Sequence, residues 1–215
     1  MPGTPNIVAI VHGKSEDILV KGLGVRMGLR VMTFSRNGGN ENIAMSALPR
    51  ILSRDPFDSE ISLHRRFPML EYHPRKIPRI PGLGLYPVMD HDGDDRNLRG
   101  YISGDLLRGC PLHDRIVPII NRPDLDSVME RIGYGRPRDK VEFYHGLVGH
   151  GCDVIGMYER FRECGDTNLD VLMHRLMSSS PGFQNRIEAP TGLFRGRTWF
   201  LHVPDFEAMS IAEAD

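Results

Sequence analysis

Three acidic side chains stand where they could act together on a phosphate group. Glu16 comes shortly after the apolar run 7–11, and Asp90 and Asp92 come directly after the apolar run 85–89. Side chains alternate along an extended segment, so Asp90 and Asp92 would point the same way. Because the carboxyl ends of parallel strands meet at one edge of a sheet, we expect the three carboxylates to be neighbours. Such hard oxygen ligands favour Mg²⁺ or Mn²⁺ holding a phosphate.

Two basic residues between the first strand and Glu16 are further candidates for chemistry. The imidazole of His12 can accept or donate a proton near neutral pH, and it can ligate Mn²⁺, although it suits Mg²⁺ poorly. The ammonium group of Lys14 could neutralise a phosphate near the metal. A polar strand-end residue and a solvated lysine are the respective alternatives. A P-loop is excluded, because that motif needs glycine at the position of Val8.

A proline-rich stretch, residues 55–84, holds the candidates for contact with a nucleic-acid backbone. The whole chain has a net charge of -1, so any such contact must come from a local basic patch. A solvated surface loop is the rival interpretation. The candidate nucleic-acid-binding residues are Arg65, Arg66, Arg75, Lys76 and Arg79.

The elements that must position these residues follow a β-α-β-α order at first, which predicts a parallel sheet with helices on its faces. We expect strands at 7–11, 30–34, 85–89 and 116–120, and helices at 16–29, 41–53 and 98–108. Ser15 is the expected N-cap of the first helix, and Asp124 that of a short helix ending at Gly133. Three further helices are expected at 141–148, 154–164 and 169–177, and a small edge element at 199–201.

The segments Val11-His12-Gly13-Lys14-Ser15-Glu16 and Met89-Asp90-His91-Asp92 resemble the Toprim pattern of an apolar strand, Glu-Gly, a helix and a later Asp-x-Asp. The sequence is similar to the version of this pattern found in OLD-family nucleases, in which a second Glu follows four residues after the first. Residues 117–129 also resemble small stand-alone bacterial proteins of this type. The resemblance covers about residues 6–135.

The resemblance implies a Toprim-like three-layer α/β domain with a central, mainly parallel sheet over residues 1–135. Residues 136–215 would be a mainly helical elaboration packed on the same core. Glu16 would be the second Glu of the pattern, and Asp90 and Asp92 the metal-binding pair. His12 stands in place of the first Glu, which leaves open an altered metal preference, a His-based mechanism or a decayed site.

We therefore expect a metal-dependent nuclease or related phosphodiester-processing enzyme, and analogy extends this to a role in phage defence. A catalytically decayed module that binds nucleic acid or regulates is the alternative. A third class is a phosphatase or receiver-like domain that acts on small phosphates. DNA or RNA as the substrate, a homodimer and a separate ATPase partner all stay open.

Composition places the protein in an ordinary globular class, with 40% hydrophobic and 26% charged residues. Its three cysteines, Cys110, Cys152 and Cys164, form no Cys-x-x-Cys pair, which fits a reducing compartment. The apolar run near the N-terminus is too short for a signal peptide, and no stretch approaches the roughly 20 apolar residues of a membrane span. We expect a cytoplasmic protein without a membrane partner.

Overall fold

The computed structural model describes residues 5–74, 79–91, 93 and 95–183. A four-stranded parallel sheet forms the centre, with strand order β2-β1-β3-β4. The strands are β1 (Ile7–Val11), β2 (Met32–Phe34), β3 (Gly84–Asp90) and β4 (Ile119–Asn121). The predicted α/β fold with a central parallel sheet is confirmed. The predicted element at 199–201 lies outside the described residues.

The two central strands are buried on both faces, as their continuous apolar sequences predict. Ile7 pairs with Gly84, and the register continues to Val11 with Val88. Val8 and Ile10 belong to one hydrophobic cluster, whereas Ile7 and the other odd-numbered residues of β1 belong to a second. The sheet therefore divides the core into two apolar layers.

Helices cover both faces of the sheet, which makes three layers. Helices α1, α5, α6, α7 and α8 contribute to the cluster that contains Ile7, and α2, α3 and α4 contribute to the cluster that contains Val8. The helices are α1 (Lys14–Arg26), α2 (Leu48–Leu52), α3 (Glu60–Arg66), α4 (Asp95–Ile102), α5 (Leu125–Arg131), α6 (Lys140–Leu147), α7 (Val154–Glu163) and α8 (Leu169–Ser178).

The first helix begins earlier than predicted, and Ser15 is not its cap. Gly13 is the N-cap residue, and Ser15 is buried within the first turn. The reason is that the carboxylate of Glu16 accepts the N–H of Gly13 at 2.9 Å, which starts the helix at Lys14. Asp124, by contrast, caps α5 as predicted, because its side chain accepts the N–H of Ser127.

Two other predicted helices are shorter than the sequence pattern indicated. The helix expected at 41–53 is reduced to α2 and a 3₁₀ turn at Met45–Ala47. The N–H of Ile43 donates to the carbonyl of His12, and this contact keeps residues 41–44 out of the helix. The helix expected at 98–108 ends at Ile102, because Gly104 takes a left-handed conformation with φ of 75°. The stretch 55–84, in which the sequence predicted no helix or strand, contains α3.

Helices α1 and α6 lie against each other at an unusually close approach. A Cβ atom on Gly22 would stand 2.1 Å from Cγ2 of Val148, so only glycine fits there. Arg26 also donates to the carbonyl oxygen of Val148 at 2.8 Å. Among the described residues, none of the helices is long and apolar enough to cross a membrane.

Candidate functional site

Polar residues follow three neighbouring strands at the carboxyl edge of the sheet, the edge where the parallel strands end. His12 follows β1, and its N–H donates to the carbonyl of Val88 in β3 at 2.9 Å. Asp90 ends β3 and pairs in register with Asn121, which ends β4. The sheet thus brings His12 and Asp90 to one edge.

Glu16 lies at the same edge with its side chain almost completely buried. It is 3% exposed, and its Oε2 atom accepts the N–H of Gly13 at 2.9 Å. The pKa of Glu16 is raised from 4.5 to about 7, mainly by burial and in smaller part by the negative charge of Asp126. Backbone hydrogen bonds and the positive charge of Lys140 act in the opposite direction. Glu16 is therefore a carboxyl group that can exchange a proton near neutral pH.

Asp126, Lys140 and Tyr144 complete the group around Glu16. The ammonium group of Lys140 lies 2.6 Å from Oδ2 of Asp126, and the hydroxyl of Tyr144 donates to Oδ1 at 2.8 Å. Burial and the hydrogen bond to Asp126 raise the pKa of Tyr144, with the charges of Glu16 and Asp90 adding to the effect. We call Glu16, Asp90, Asp126, Lys140 and Tyr144 the carboxyl-edge cluster.

The Asp90 carboxylate is held by two donors from neighbouring elements. Its Oδ1 atom accepts the side-chain amide of Asn121 at 3.0 Å and the backbone N–H of Leu125 at 3.2 Å. Leu125 is the first residue of α5, so this N–H has no acceptor within its own helix. Asp90 thus ties the end of β3 to β4 and to the start of α5.

The ring of His12 is held in place through its Nδ1 atom. Its Nδ1 atom lies 3.0 Å from the carbonyl oxygen of Ile43, and the side chain is 7% exposed. A carbonyl oxygen can only accept, so Nδ1 carries a proton in this contact.

The predicted metal ligands are only partly described. Asp92 lies outside the described residues, whereas Glu16 and Asp90 share the carboxyl edge. Among the residues that the structure describes, no three His, Cys, Asp or Glu side chains form a group that could hold a metal ion. Lys14 is exposed, and its Nζ atom lies 3.4 Å from the carbonyl of Gly38, on the side of β2.

The proline-rich stretch 55–84, which carries the predicted basic contacts, is anchored at the opposite edge of the sheet, which we call the amino edge. Asn6, directly before β1, donates to the carbonyl of Pro81 at 2.6 Å and accepts the N–H of Glu71 at 2.8 Å. Arg79 lies along the chain between Glu71 and Pro81, and its backbone forms an antiparallel bridge with that of His73. The seven residues of β3 span about 20 Å, so Arg79 does not lie with the acidic residues.

Two of the other predicted nucleic-acid contacts, Arg65 and Arg66, belong to the same region. Arg65 and Arg66 are exposed at the end of α3, next to His64, whose ring stacks on Tyr72 at a centroid distance of 4.5 Å. Arg75 and Lys76 lie outside the described residues. The structure therefore brings the described basic residues together near the amino edge and separates them from the carboxyl-edge cluster.

The sequence prediction did not identify Lys140 and Tyr144. Both lie on α6, and their partner Asp126 is on α5, so no local spacing connects them. The one available signal was Asp126 itself, an acid in the first turn of a helix that follows a strand end. No protein-family model, curated protein or solved structure matches the chain, so the site itself is the evidence for function.

Proposed function

We propose that the chain is a Toprim-type phosphodiesterase, a Mg²⁺- or Mn²⁺-dependent nuclease whose site is the carboxyl-edge cluster. The observation that carries this proposal is the buried Glu16, with a pKa of about 7, beside Asp126 at the edge where Asp90 ends β3. Burying neighbouring carboxyl groups costs folding free energy. Groups with such perturbed pKa values concentrate at functional sites.

The chemistry of the donors fits a hard divalent cation. Carboxylate oxygens are the ligands that Mg²⁺ and Mn²⁺ prefer, and a cation would offset the mutual repulsion of Glu16 and Asp126. Glu16 and Asp90 would hold the ion, together with Asp92. When bound, such an ion neutralises charge on a phosphate and lowers the pKa of a bound water.

The remaining residues have roles that follow from their contacts. His12, with Nδ1 donating to the carbonyl of Ile43, is held at this edge and would act as acid or base toward the attacking water. Lys140 adds positive charge beside Glu16 and is positioned by its bond to Asp126. The raised pKa of Tyr144 keeps its hydroxyl protonated, so Tyr144 remains a donor to Asp126. Lys14, exposed at the same edge, would contact a phosphate farther along the substrate.

The distance between the two edges favours a polymer over a small phosphate. About 20 Å separates the ends of β3, and each strand of a duplex carries one phosphate per roughly 3.4 Å along the helix axis, so about six base pairs would bridge that distance. Arg65, Arg66 and Arg79 can then contact the same substrate that occupies the carboxyl-edge cluster. We expect oligonucleotides shorter than this length to bind more weakly.

A second candidate function is a nucleic-acid-binding or regulatory module that has lost catalysis. Two observations favour it. His12 occupies the position of the first acid of the pattern, and the described residues contain no ready-made group of three metal ligands. By analogy, a protein of either candidate function would act in nucleic-acid processing or in defence against phage.

The experiment is a cleavage assay of the full chain on labelled single- and double-stranded DNA and RNA. It is run with Mg²⁺, Mn²⁺ or EDTA, on the natural sequence and on Asp90→Asn. Asp114→Asn is the matched control, because Asp114 is an exposed carboxylate that pairs with His113 away from the cluster. We expect metal-dependent cleavage that falls by about 100-fold or more in Asp90→Asn and is unchanged in the control.

The other outcomes separate the candidates. Binding without cleavage under any metal contradicts the nuclease and supports the binding module. In that case His12→Glu restores the missing acid, and a gain of Mg²⁺-dependent cleavage identifies a decayed site. If the protein neither binds nor cleaves polynucleotides but hydrolyses small phosphates, the phosphatase class is correct instead.

A further inference from the structure

A chain of buried hydrogen bonds connects the segment between α7 and α8 to Asp90. The N–H of Leu169 donates to the hydroxyl oxygen of Thr167 at 3.2 Å, and that hydroxyl donates to Oδ1 of Asn121 at 2.9 Å. The amide of Asn121 then donates to Oδ1 of Asp90 at 3.0 Å. Asn121 is completely buried, and Thr167 is 2% exposed. Every donor in the chain points toward Asp90.

The segment that carries Thr167 is fixed against β4. The N–H of Arg122 donates to the carbonyl of Asp166 at 2.8 Å, and Asn121 forms a backbone bridge with Thr167. The side chain of Asn168 accepts the N–H of Ile120 at 2.8 Å and donates to the carbonyl of Pro118 at 2.9 Å. Residues 166–168 therefore cover the edge of β4 as a short antiparallel partner would.

Covering this edge does not by itself require the polar pair of Asn121 and Thr167. An apolar pair could fill the same space without hydrogen bonds, whereas a buried polar pair is costly unless all its groups are satisfied. At one end the arrangement satisfies the first N–H of α8, and at the other end it fixes a carboxylate. Two donors, Asn121 and Leu125, meet on the same oxygen of Asp90 and restrict the rotation of that carboxylate.

We propose that Asn121 and Thr167 are positioning residues that hold the Asp90 carboxylate in the orientation required at the carboxyl-edge cluster. This inference rests on the proposed function for the role of Asp90. It adds that the segment between α7 and α8 determines how well Asp90 binds a cation. Neither residue touches the reacting groups, so both act through Asp90.

The test uses the full chain with Thr167→Val, which removes the hydroxyl at constant shape, and Thr167→Ser, which keeps it. Ser180→Ala is the control, because it removes another buried hydroxyl, bonded to the carbonyl of Met27 at 2.6 Å. Mn²⁺ affinity is measured by electron paramagnetic resonance. Hydrogen exchange of the Leu125 amide is measured by NMR without metal, since that N–H donates directly to Asp90.

In Thr167→Val we expect the affinity for Mn²⁺ to fall about 10- to 100-fold. We expect the protection of the Leu125 amide from hydrogen exchange to fall about tenfold. Thr167→Ser and Ser180→Ala should stay within about threefold of the natural sequence for both readouts. If Thr167→Val does not fold, Asn121→Leu replaces it, because it removes the donor to Asp90 without adding a charge and should have the same two effects.

Two results would overturn the inference. One is a Leu125 amide as protected in Thr167→Val as in the natural sequence. The other is an equal loss in Ser180→Ala, which would mean general destabilisation. If the natural sequence binds no Mn²⁺, the proposed metal site fails, and the protection of Leu125 alone decides whether the positioning holds.

Discussion

Replacing Glu16 with Gln should remove a defined part of the pH dependence of stability. The pKa of Glu16 is about 7 in the folded protein, against an ordinary value of 4.5. Between these values the folded protein keeps a proton that the unfolded chain has released. The free energy of unfolding therefore falls as pH rises from about 4.5 to 7 and is level above that. Since one pKa unit corresponds to about 1.4 kcal/mol, the loss approaches about 3 kcal/mol.

The assay is urea unfolding at pH 5 and pH 8 of the natural sequence, Glu16→Gln and a control. Glutamine keeps an oxygen that can accept the N–H of Gly13 and has no proton to release. The free energy of unfolding of Glu16→Gln minus that of the natural sequence should be larger at pH 8 than at pH 5 by about 2.5 kcal/mol. Glu41→Gln is the control, because Glu41 is about half exposed and pairs with Arg36 on the surface.

An equal pH dependence in the natural sequence and in Glu16→Gln would refute this reasoning, because the proton would then not reside on Glu16. A metal arm extends the test to the proposed function. At pH 8, Mg²⁺ or Mn²⁺ should stabilise the natural sequence, since the cation binds the folded state with Glu16 ionised. Glu16→Gln should gain much less, and Glu41→Gln should gain as much as the natural sequence.

Three further predictions concern stability and are checked by thermal and urea unfolding. Gly22→Ala should destabilise by about 1–3 kcal/mol, because the new Cβ would stand 2.1 Å from Val148; an unchanged midpoint would mean that α6 moves aside at little cost. Gly146→Ala should stabilise by about 0.5–1 kcal/mol, since its Cβ would meet no described atom within 4 Å, and a loss would contradict this. Asp124→Ala should cost about 1 kcal/mol through loss of the cap on the Ser127 N–H, a cost that Asp124→Asn should largely avoid.

The sheet could be predicted from the sequence because its strands carry the information locally. Strand β1 has the predicted bounds, since a β-branched apolar run is stable only where both faces are buried. Helix α3 was missed because the prolines and basic residues around it indicated a loop. Its local signal was present, however: Ser59 caps the helix by accepting the N–H of Ser62. Ser59 followed by Glu60 would have been enough to predict a helix start.

The site could be predicted only as far as the sheet determines it. Glu16 and Asp90 share an edge because each follows a parallel strand, and that conclusion needs only strand order. The contact of Lys140 with Asp126 depends on where α6 packs against α1, which is a property of two helix faces and a connection. Spacing along the chain contains no information on that packing, so Lys140 resembled any other solvated lysine.

Residues between 136 and 183 contribute directly to the candidate site. Lys140 neutralises Asp126 beside the buried Glu16, and Thr167 supports Asn121, which holds Asp90. Lys140 supplies a positive charge to Asp126, and Thr167 supplies a hydrogen bond to Asn121. Without these contacts the polar groups of the α/β elements would be costly to bury. The sheet therefore places the carboxylates, and the C-terminal helices supply the charge and the hydrogen bonds that make their burial possible.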